Sequence, residues 1–212
     1  MIAVVDYKAG NLRSVERALD RLGVPCGITA EPGAIRSADR VVFPGVGAAG
    51  SAVEDLKASG IDRVLREVVD RGTPFLGICL GAQIILEWSE ENDAACLGLL
   101  PGTVSRFPSP LPGPAGERLK VPHMGWNGLR KRCDHPLLED VRETDEFYFV
   151  HGYYPRPASE DHVIATTEHG TRFPSVIGTG NLAAMQFHPE KSGEPGLRIL
   201  ERFARWDGRH AE

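Results

Sequence analysis

A cysteine between glycines, Gly77-Ile78-Cys79-Leu80-Gly81, lies where an apolar run (Phe75–Ile78) meets a helical run carrying Ala82, Ile84, Ile85 and Leu86. A thiol on a sharp strand-to-helix turn is a nucleophile arrangement, because the turn projects the central side chain and only small neighbours fit beside it. Amides at the start of the following helix favour the thiolate, and the Leu80 amide lies where an oxyanion would form. On its own, a cysteine on an apolar strand is an ordinary core residue, so its partners decide the matter. Among the seven histidines, His188 follows the apolar run Met185-Gln186-Phe187 and precedes Pro189-Glu190. In an extended chain, residues two apart project to one side, so Glu190 can hold the imidazole tautomer while the ring serves Cys79 as base. Pro44-Gly45-Val46-Gly47 ends another apolar run, and its backbone amides can complete an oxyanion hole. That run lacks the G-K-[ST] ending and the G-x-G-x-x-G spacing of phosphate-cradling loops. Gln83 lies one helical turn beyond Cys79, and on spacing alone it reads as an ordinary helix-surface glutamine. Cys79, His188 and Glu190 are thus candidates for nucleophile, base and orienting carboxylate, with an inert core thiol and a His-Pro turn carrying a solvated Glu still open on these residues alone.

Positioning such a site calls for a parallel sheet, since loops leaving parallel strands meet at its carboxyl edge. The first half of the chain alternates β-rich and helical runs, the order that builds a sheet covered on both faces. Strands are predicted at Ile2–Asp6, Arg40–Phe43 and Phe75–Ile78. Leu12, Val15, Leu19 and Leu22 recur at helical spacing between an Asn11 cap and Gly23, and Ile61, Val64, Leu65, Val68 and Val69 mark a second helix ending at Arg71-Gly72. From Gly98 to about Arg132 the pattern changes, and Pro108, Pro110, Pro112 and Pro114 predict a surface loop. Strands at Glu146–Val150, His162–Thr167 and Asn181–Phe187 and a closing helix from Leu197 to Trp206 complete the reading. The predicted class is α/β: a mostly parallel central sheet flanked by helices, with a smaller β excursion in the second half.

With 212 residues and 42% hydrophobic residues, the chain is long enough for one α/β domain. A net charge of −5 with scattered Lys and Arg carries no footprint for nucleic acid or an anionic membrane. The apolar start ends at Asp6, too early for a signal peptide or membrane span, which predicts a cytoplasmic protein. The cysteines Cys26, Cys79, Cys96 and Cys133 contain no C-x-x-C pair, so reduced thiols are expected and no metal site.

Gly77-Ile78-Cys79-Leu80-Gly81-Ala82-Gln83 with Gln186-Phe187-His188-Pro189-Glu190 resembles the class I glutamine amidotransferases, whose architecture is flavodoxin-like. More narrowly, the chain is similar to the glutaminase subunits of imidazole glycerol phosphate synthases. That likeness rests on Asp6-Tyr7, Gly10-Asn11-Leu12, Pro44-Gly45-Val46-Gly47, Val121-Pro122-His123-Met124-Gly125-Trp126-Asn127, Tyr148-Phe149-Val150-His151 and Pro189-Glu190-Lys191-Ser192. These blocks span the chain in family order, and the Pro-His-Met-Gly-Trp-Asn block is the most diagnostic. The resemblance implies a single glutamine amidotransferase domain over residues 1–212 with glutamine as substrate and no cofactor. It implies a separate (β/α)8 cyclase subunit that consumes the ammonia in histidine biosynthesis. It also implies oxyanion or substrate contacts by Gly45, Val46, Gly47, Leu80, Gln83, Gly152 and Tyr153, the last pair through their backbone. A partner-facing or gating role falls to Asn11, Met124, Trp126, Tyr148 and Lys191.

Three features depart from the family pattern. Lys8 stands where a small residue is usual, with room to crowd the loop; Gly152 replaces a commoner Ser or Thr; and the Pro-rich stretch Phe107–Gly116 is longer. Two other readings remain open on sequence. One is a solitary cysteine hydrolase of the same fold, like γ-glutamyl hydrolases or DJ-1-like proteins, against which Trp126 and Lys191 speak. The other is a catalytically silent binding subunit, against which the intact triad speaks.

Overall fold

The computed structural model describes residues 1–8, 10–113 and 116–209. Continuous apolar runs mark strands buried on both faces, and β1 (Ile2–Val5), β3 (Arg40–Gly45) and β4 (Phe75–Cys79) are such runs, with β2 (Cys26–Thr29) beside them. Helices α1 (Leu12–Arg21), α2 (Pro32–Ser37), α3 (Ala49–Ser59), α4 (Ile61–Asp70) and α5 (Leu80–Ile84) punctuate this half. A series of short strands follows: β5 (Trp88–Ser89), β6 (Ala94–Ala95), β7 (Gly102–Arg106), β8 (Leu111–Pro112), β9 (Arg118–Leu119), β10 (His123–Gly128), β11 (Arg130–Lys131), β12 (Glu146–His151) and β13 (Tyr153–Pro157). The chain then returns through β14 (Val163–Glu168), β15 (Arg172–Thr179) and β16 (Leu182–Met185) to α6 (Gly193–Arg205).

The main sheet runs β11-β14-β15-β16-β4-β3-β1-β2. Its five strands from β16 to β2 are parallel, and β11, β14 and β15 extend it antiparallel. Strand alternation sends neighbouring residues to opposite cores. Val42, Leu76 and Ile78 join Val15, Leu19, Leu200 and Phe203 of α1 and α6 on one face, while Val41, Phe43 and Phe75 join Leu56, Val64, Leu65 and Val68 of α3 and α4 on the other. Each fully buried side chain of this kind contributes about 1.5–3 kcal/mol.

The expected α/β architecture is therefore present, with corrections. After β3 the chain enters α3, which was not anticipated, and neither was β15. The Pro-rich segment is not only loop: Leu111–Pro112 pairs antiparallel with Arg118–Leu119, and Phe107 and Leu111 are buried; Pro114 lies outside the described residues. Lys8 has a left-handed backbone (φ 74°), and its ammonium pairs with Asp55 on α3 at 2.8 Å.

Packing is tightest where β4 turns into α5. A Cβ on Gly81 would collide with the carbonyl oxygen of Phe43 on β3, and one on Gly77 would lie 3.0 Å from the Ala184 Cβ on β16. Gly81→Ala should therefore cost about 3 kcal/mol by overpacking, lowering Tm by roughly 6–12 °C in a chain of this size. Gly33→Ala, with no atom within 4 Å of the added carbon, should leave Tm unchanged or slightly raised. Thermal unfolding of both variants checks the pair, and equal Tm values would contradict the steric account.

Candidate active site

Because β3, β4 and β16 are parallel neighbours, the segments leaving them emerge on one edge. Gly45 registers with Cys79 and Met185 with Ile78, so Val46-Gly47, Cys79 and Gln186-Phe187-His188 converge there. Cys79 sits at φ 54°, ψ −107°, a conformation rare for a non-glycine residue, as a nucleophile elbow demands. Cys79 stands at the N-terminus of the short helix α5, which ends at Ile84.

His188 and Glu190 do pair, but not by extension. Pro189 starts a 3-10 turn over Pro189–Lys191 that folds Glu190 back, and its Oε1 accepts from His188 Nδ1 at 2.7 Å. The same oxygen accepts from Asn11 Nδ2 at 2.5 Å. Asn11 therefore does not cap α1 with its side chain; at φ 71° it turns toward the carboxylate instead. The His188 and Glu190 side chains are 1% and 0% exposed. Burial opposes a charged imidazole, yet Cys79 and Glu190 outweigh it and push His188 up to about 10. With Nδ1 engaged, Nε2 has no hydrogen-bond partner among the described residues and is the nitrogen left for the thiol and substrate.

A cavity of about 300 Å³ is lined by Val46, Gly47, Cys79, Leu80, Gln83, Glu91, Gly152, Tyr153 and His188, among others. Gly45 adjoins the wall residue Val46, and a Cβ on it would collide with the Tyr7 hydroxyl and lie 3.0 Å from the Leu80 Cβ. Gln83 is buried, and Nε2 donates to the Tyr153 carbonyl and to Gln186 Oε1, both at 2.9 Å, so what it can offer a ligand is its own carbonyl oxygen. The Gly152 carbonyl accepts from the Phe107 amide, and the Tyr153 carbonyl also accepts from His151 Nδ1. A larger cavity of about 690 Å³ beyond Pro122 contains none of the triad.

Sequence reasoning missed three contributors. Glu91 is a carboxylate in the cavity wall, hydrogen-bonded to the Ala49 amide at 2.8 Å. Gln186 donates toward Cys79 Sγ at 3.9 Å. The Tyr7 hydroxyl is buried without a partner among the described residues, and burial, reinforced by the charge of Cys79, keeps it protonated. Burial also pushes up the Cys96 thiol, to about 11, and the Cys26 thiol, whereas Cys133 is exposed. Among the described residues, no group of three His, Cys, Asp or Glu side chains could hold a metal, and no helix is long and apolar enough to cross a membrane.

Beside the cavity, β10 pairs with β12 and sets Trp126 opposite Tyr148, with their rings 6.0 Å apart. Met124 and Trp126 are 65% and 54% exposed, and Lys191 is exposed on the turn after His188. Tyr148 is half-buried, its ring 6.4 Å from that of His188. Asn11 stands apart from this group through its bond to Glu190.

The family model "Glutamine amidotransferase class-I" matches residues 3–205. A strained cysteine elbow facing a buried His–carboxylate pair on a parallel sheet is what that class would require, and the chain belongs to the class-I glutamine amidotransferases. A solved glutamine amidotransferase structure superposes with a TM-score of 0.71 at 21% identity, covering 96% of this chain and 99% of the other, and a structure of PurLQS from Thermotoga maritima with 0.72 at 17%, covering 96% and 97%. Those two show the fold alone. Among sequences, "Imidazole glycerol phosphate synthase subunit HisH" of Nitratidesulfovibrio vulgaris is 52% identical over 206 residues, 97% of this chain and 96% of the relative. The subunit of the same name from Pseudomonas putida is 46% identical over 210 residues, 98% of each chain. Within the class, the chain is a member of the HisH family.

If Cys79 and Glu190 hold up the His188 pKa against burial, removing one lowers it. In Cys79→Ala, His188 should titrate at a clearly lower pH than in the native chain, as read by NMR of the imidazole. An unchanged titration would mean that the thiol is not its electrostatic partner.

Proposed function

We propose that this chain hydrolyses glutamine to glutamate and ammonia and delivers the ammonia to a separate (β/α)8 cyclase subunit, as the glutaminase of an imidazole glycerol phosphate synthase in histidine biosynthesis. The observation that carries the reading is the His188–Glu190 pair buried beside Cys79, with one imidazole nitrogen committed and the other free. The Cys79 thiolate attacks the carboxamide carbon, forming a tetrahedral oxyanion that receives hydrogen bonds from the Leu80 amide and the Val46-Gly47 segment. As the oxyanion collapses, His188 Nε2 gives its proton to the leaving amine and ammonia departs. His188 then takes a proton from water, which attacks the thioester; glutamate leaves and the thiol is restored. Glu190, held by Asn11, keeps Nδ1 protonated throughout. In the same reading, the Glu91 carboxylate receives the substrate's α-ammonium, and the carbonyl oxygen of Gln83 takes a substrate N–H.

Ammonia is mostly protonated at neutral pH and then cannot attack, so a synthase gains from a protected transfer at a subunit interface. The exposed Met124 and Trp126, with Tyr148 and Lys191 beside the triad, form the docking and gating face in this proposal. Residues 1–212 work as one glutamine amidotransferase domain, and a cytoplasmic location fits a biosynthetic role.

Ammonia release should be low for the chain alone and rise strongly with the cyclase subunit and its nucleotide ligand. Cys79→Ala should abolish it, and His188→Asn should lower kcat by about 10²–10⁴. Full activity without partner would instead indicate a solitary hydrolase, and activity surviving in Cys79→Ala would remove the nucleophile assignment. Trp126→Ala should weaken cyclase binding by about 2 kcal/mol or more, a thirtyfold rise in Kd or greater by roughly 1.4 kcal/mol per decade. Calorimetric titration checks this, and an unchanged Kd would move the interface elsewhere.

A further inference from the structure

Three polar side chains outside the triad, the half-buried Asn127 and the buried His123 on β10 and the buried His151 on β12, form a line of hydrogen bonds ending at the wall of the glutamine cavity. Its two ends are anchored on groups whose roles cannot change. At one end the Tyr153 carbonyl can only accept, so His151 Nδ1, 2.7 Å away, carries a proton and donates. At the other end, Asn127 Oδ1 accepts from the Gly128 amide and Nδ2 donates to the Glu168 carbonyl, each at 2.9 Å, which fixes the amide's orientation.

The middle follows by elimination. Burial pushes His151 down to about 3 and His123 down to about 4, so both are neutral at pH 7 and each has one N–H. With its proton on Nδ1, His151 Nε2 must accept, and the donor 3.1 Å away is His123 Nδ1. His123 Nε2 is then an acceptor, and Asn127 Nδ2 lies 3.3 Å from it. Every link points the same way, and reversing any one leaves two lone pairs or two protons face to face.

The output end bears on chemistry. The Tyr153 carbonyl that His151 holds is the one that accepts the hydrogen bond donated by Gln83 Nε2, and Gln83 in turn holds Gln186 beside Cys79. The input end lies on β10, whose alternate residues Met124 and Trp126 are exposed. We propose that Asn127, His123 and His151 are positioning residues, a one-way hydrogen-bond relay by which strand β10 fixes the Tyr153 carbonyl and the Gln83 side chain of the glutamine pocket. The proposal rests on the glutaminase reading for its consequence, though not for its geometry. It gives the inward residues of the Pro-His-Met-Gly-Trp-Asn block a task separate from that of the outward ones.

The test uses the complex with the cyclase subunit and the native chain by itself. In the complex, His123→Asn keeps a donor close to the position of Nδ1, whereas His123→Leu keeps bulk without a donor. The expected result is kcat/KM within about threefold of native for His123→Asn. For His123→Leu the expected result is a loss of tenfold or more, carried largely by KM for glutamine because the pocket rather than the triad is disturbed. Equal kinetics in the two variants would overturn the relay. On the native chain, nitrogen chemical shifts of the imidazoles at pH 7 should show His123 and His151 both as neutral Nδ1–H tautomers. His151 found as the Nε2–H tautomer, or as a cation, would overturn it as well. The tautomer measurement requires no turnover, so failure of the relay and failure of the glutaminase reading appear in different experiments.

Discussion

A strained cysteine in the middle of a sheet is the constraint around which this fold is arranged. Holding Cys79 at positive φ costs on the order of 1–3 kcal/mol and persists only where the surroundings over-determine it. Here they do: β3 and β16 flank β4 in parallel, and α5 is pressed against β3 so closely that Gly81 leaves no room for a methyl group. The same parallel alignment brings Val46-Gly47 and His188 to the edge where the thiol emerges. Strain and convergence therefore have one cause, and loosening the packing that supports the first would also disperse the second.

The second demand on the fold is a buried charge. Glu190 has no exposed side-chain surface, and a carboxylate out of water costs several kcal/mol unless partners compensate. His188 and Asn11 both donate to Oε1, while Oε2 has no partner among the described residues. The arrangement is thus incompletely satisfied, which is a poor way to gain stability and a good way to keep an imidazole charged. A buried histidine ordinarily loses its proton; His151 and His123 behave in that way, and His188 goes the other way because of what faces it. Histidines a few residues from the same cavity wall thereby hold opposite charge states.

How far the sequence revealed this varies with the distance over which each feature is encoded. The elbow was legible because a turn this sharp imposes its residue types locally, and Cys79, Gly77 and Gly81 are contiguous. Glu190 was legible as a partner for His188 but by the wrong geometry, because Pro189 replaces the extended chain with a turn. Asn11 resembles a helix cap in sequence, and nothing local says that its amide reaches a carboxylate 179 positions away. Glu91 lies in the acidic run Glu90–Asp93, which reads as solvated surface until the cavity is seen. The β15 strand was hidden by Pro174 and Gly178, residues that weaken a strand pattern. Helix α3 was hidden by its alanine- and glycine-rich opening. The histidine relay needs the cross-strand register of His123 with His151, which no spacing within one segment can supply.

Strand β10 also explains how an outside surface can be close to chemistry without being part of it. Its period of two puts Met124 and Trp126 outward and His123 and Asn127 inward, so one strand serves both faces. Across the ladder, Tyr148 sits opposite Trp126, and its carbonyl accepts the His188 amide at 2.9 Å while its own amide donates to Ser192 Oγ. Ser192 returns a hydrogen bond to the His188 carbonyl at 2.6 Å. The backbone of the candidate base is therefore tied to the strand paired with the exposed one, a single hydrogen bond removed. Misplacement by 1 Å can cost a reaction of this kind about a hundredfold. A partner that only seated Trp126 and squared β10 against β12, as in the proposed function, would have enough leverage to set the rate without touching glutamine.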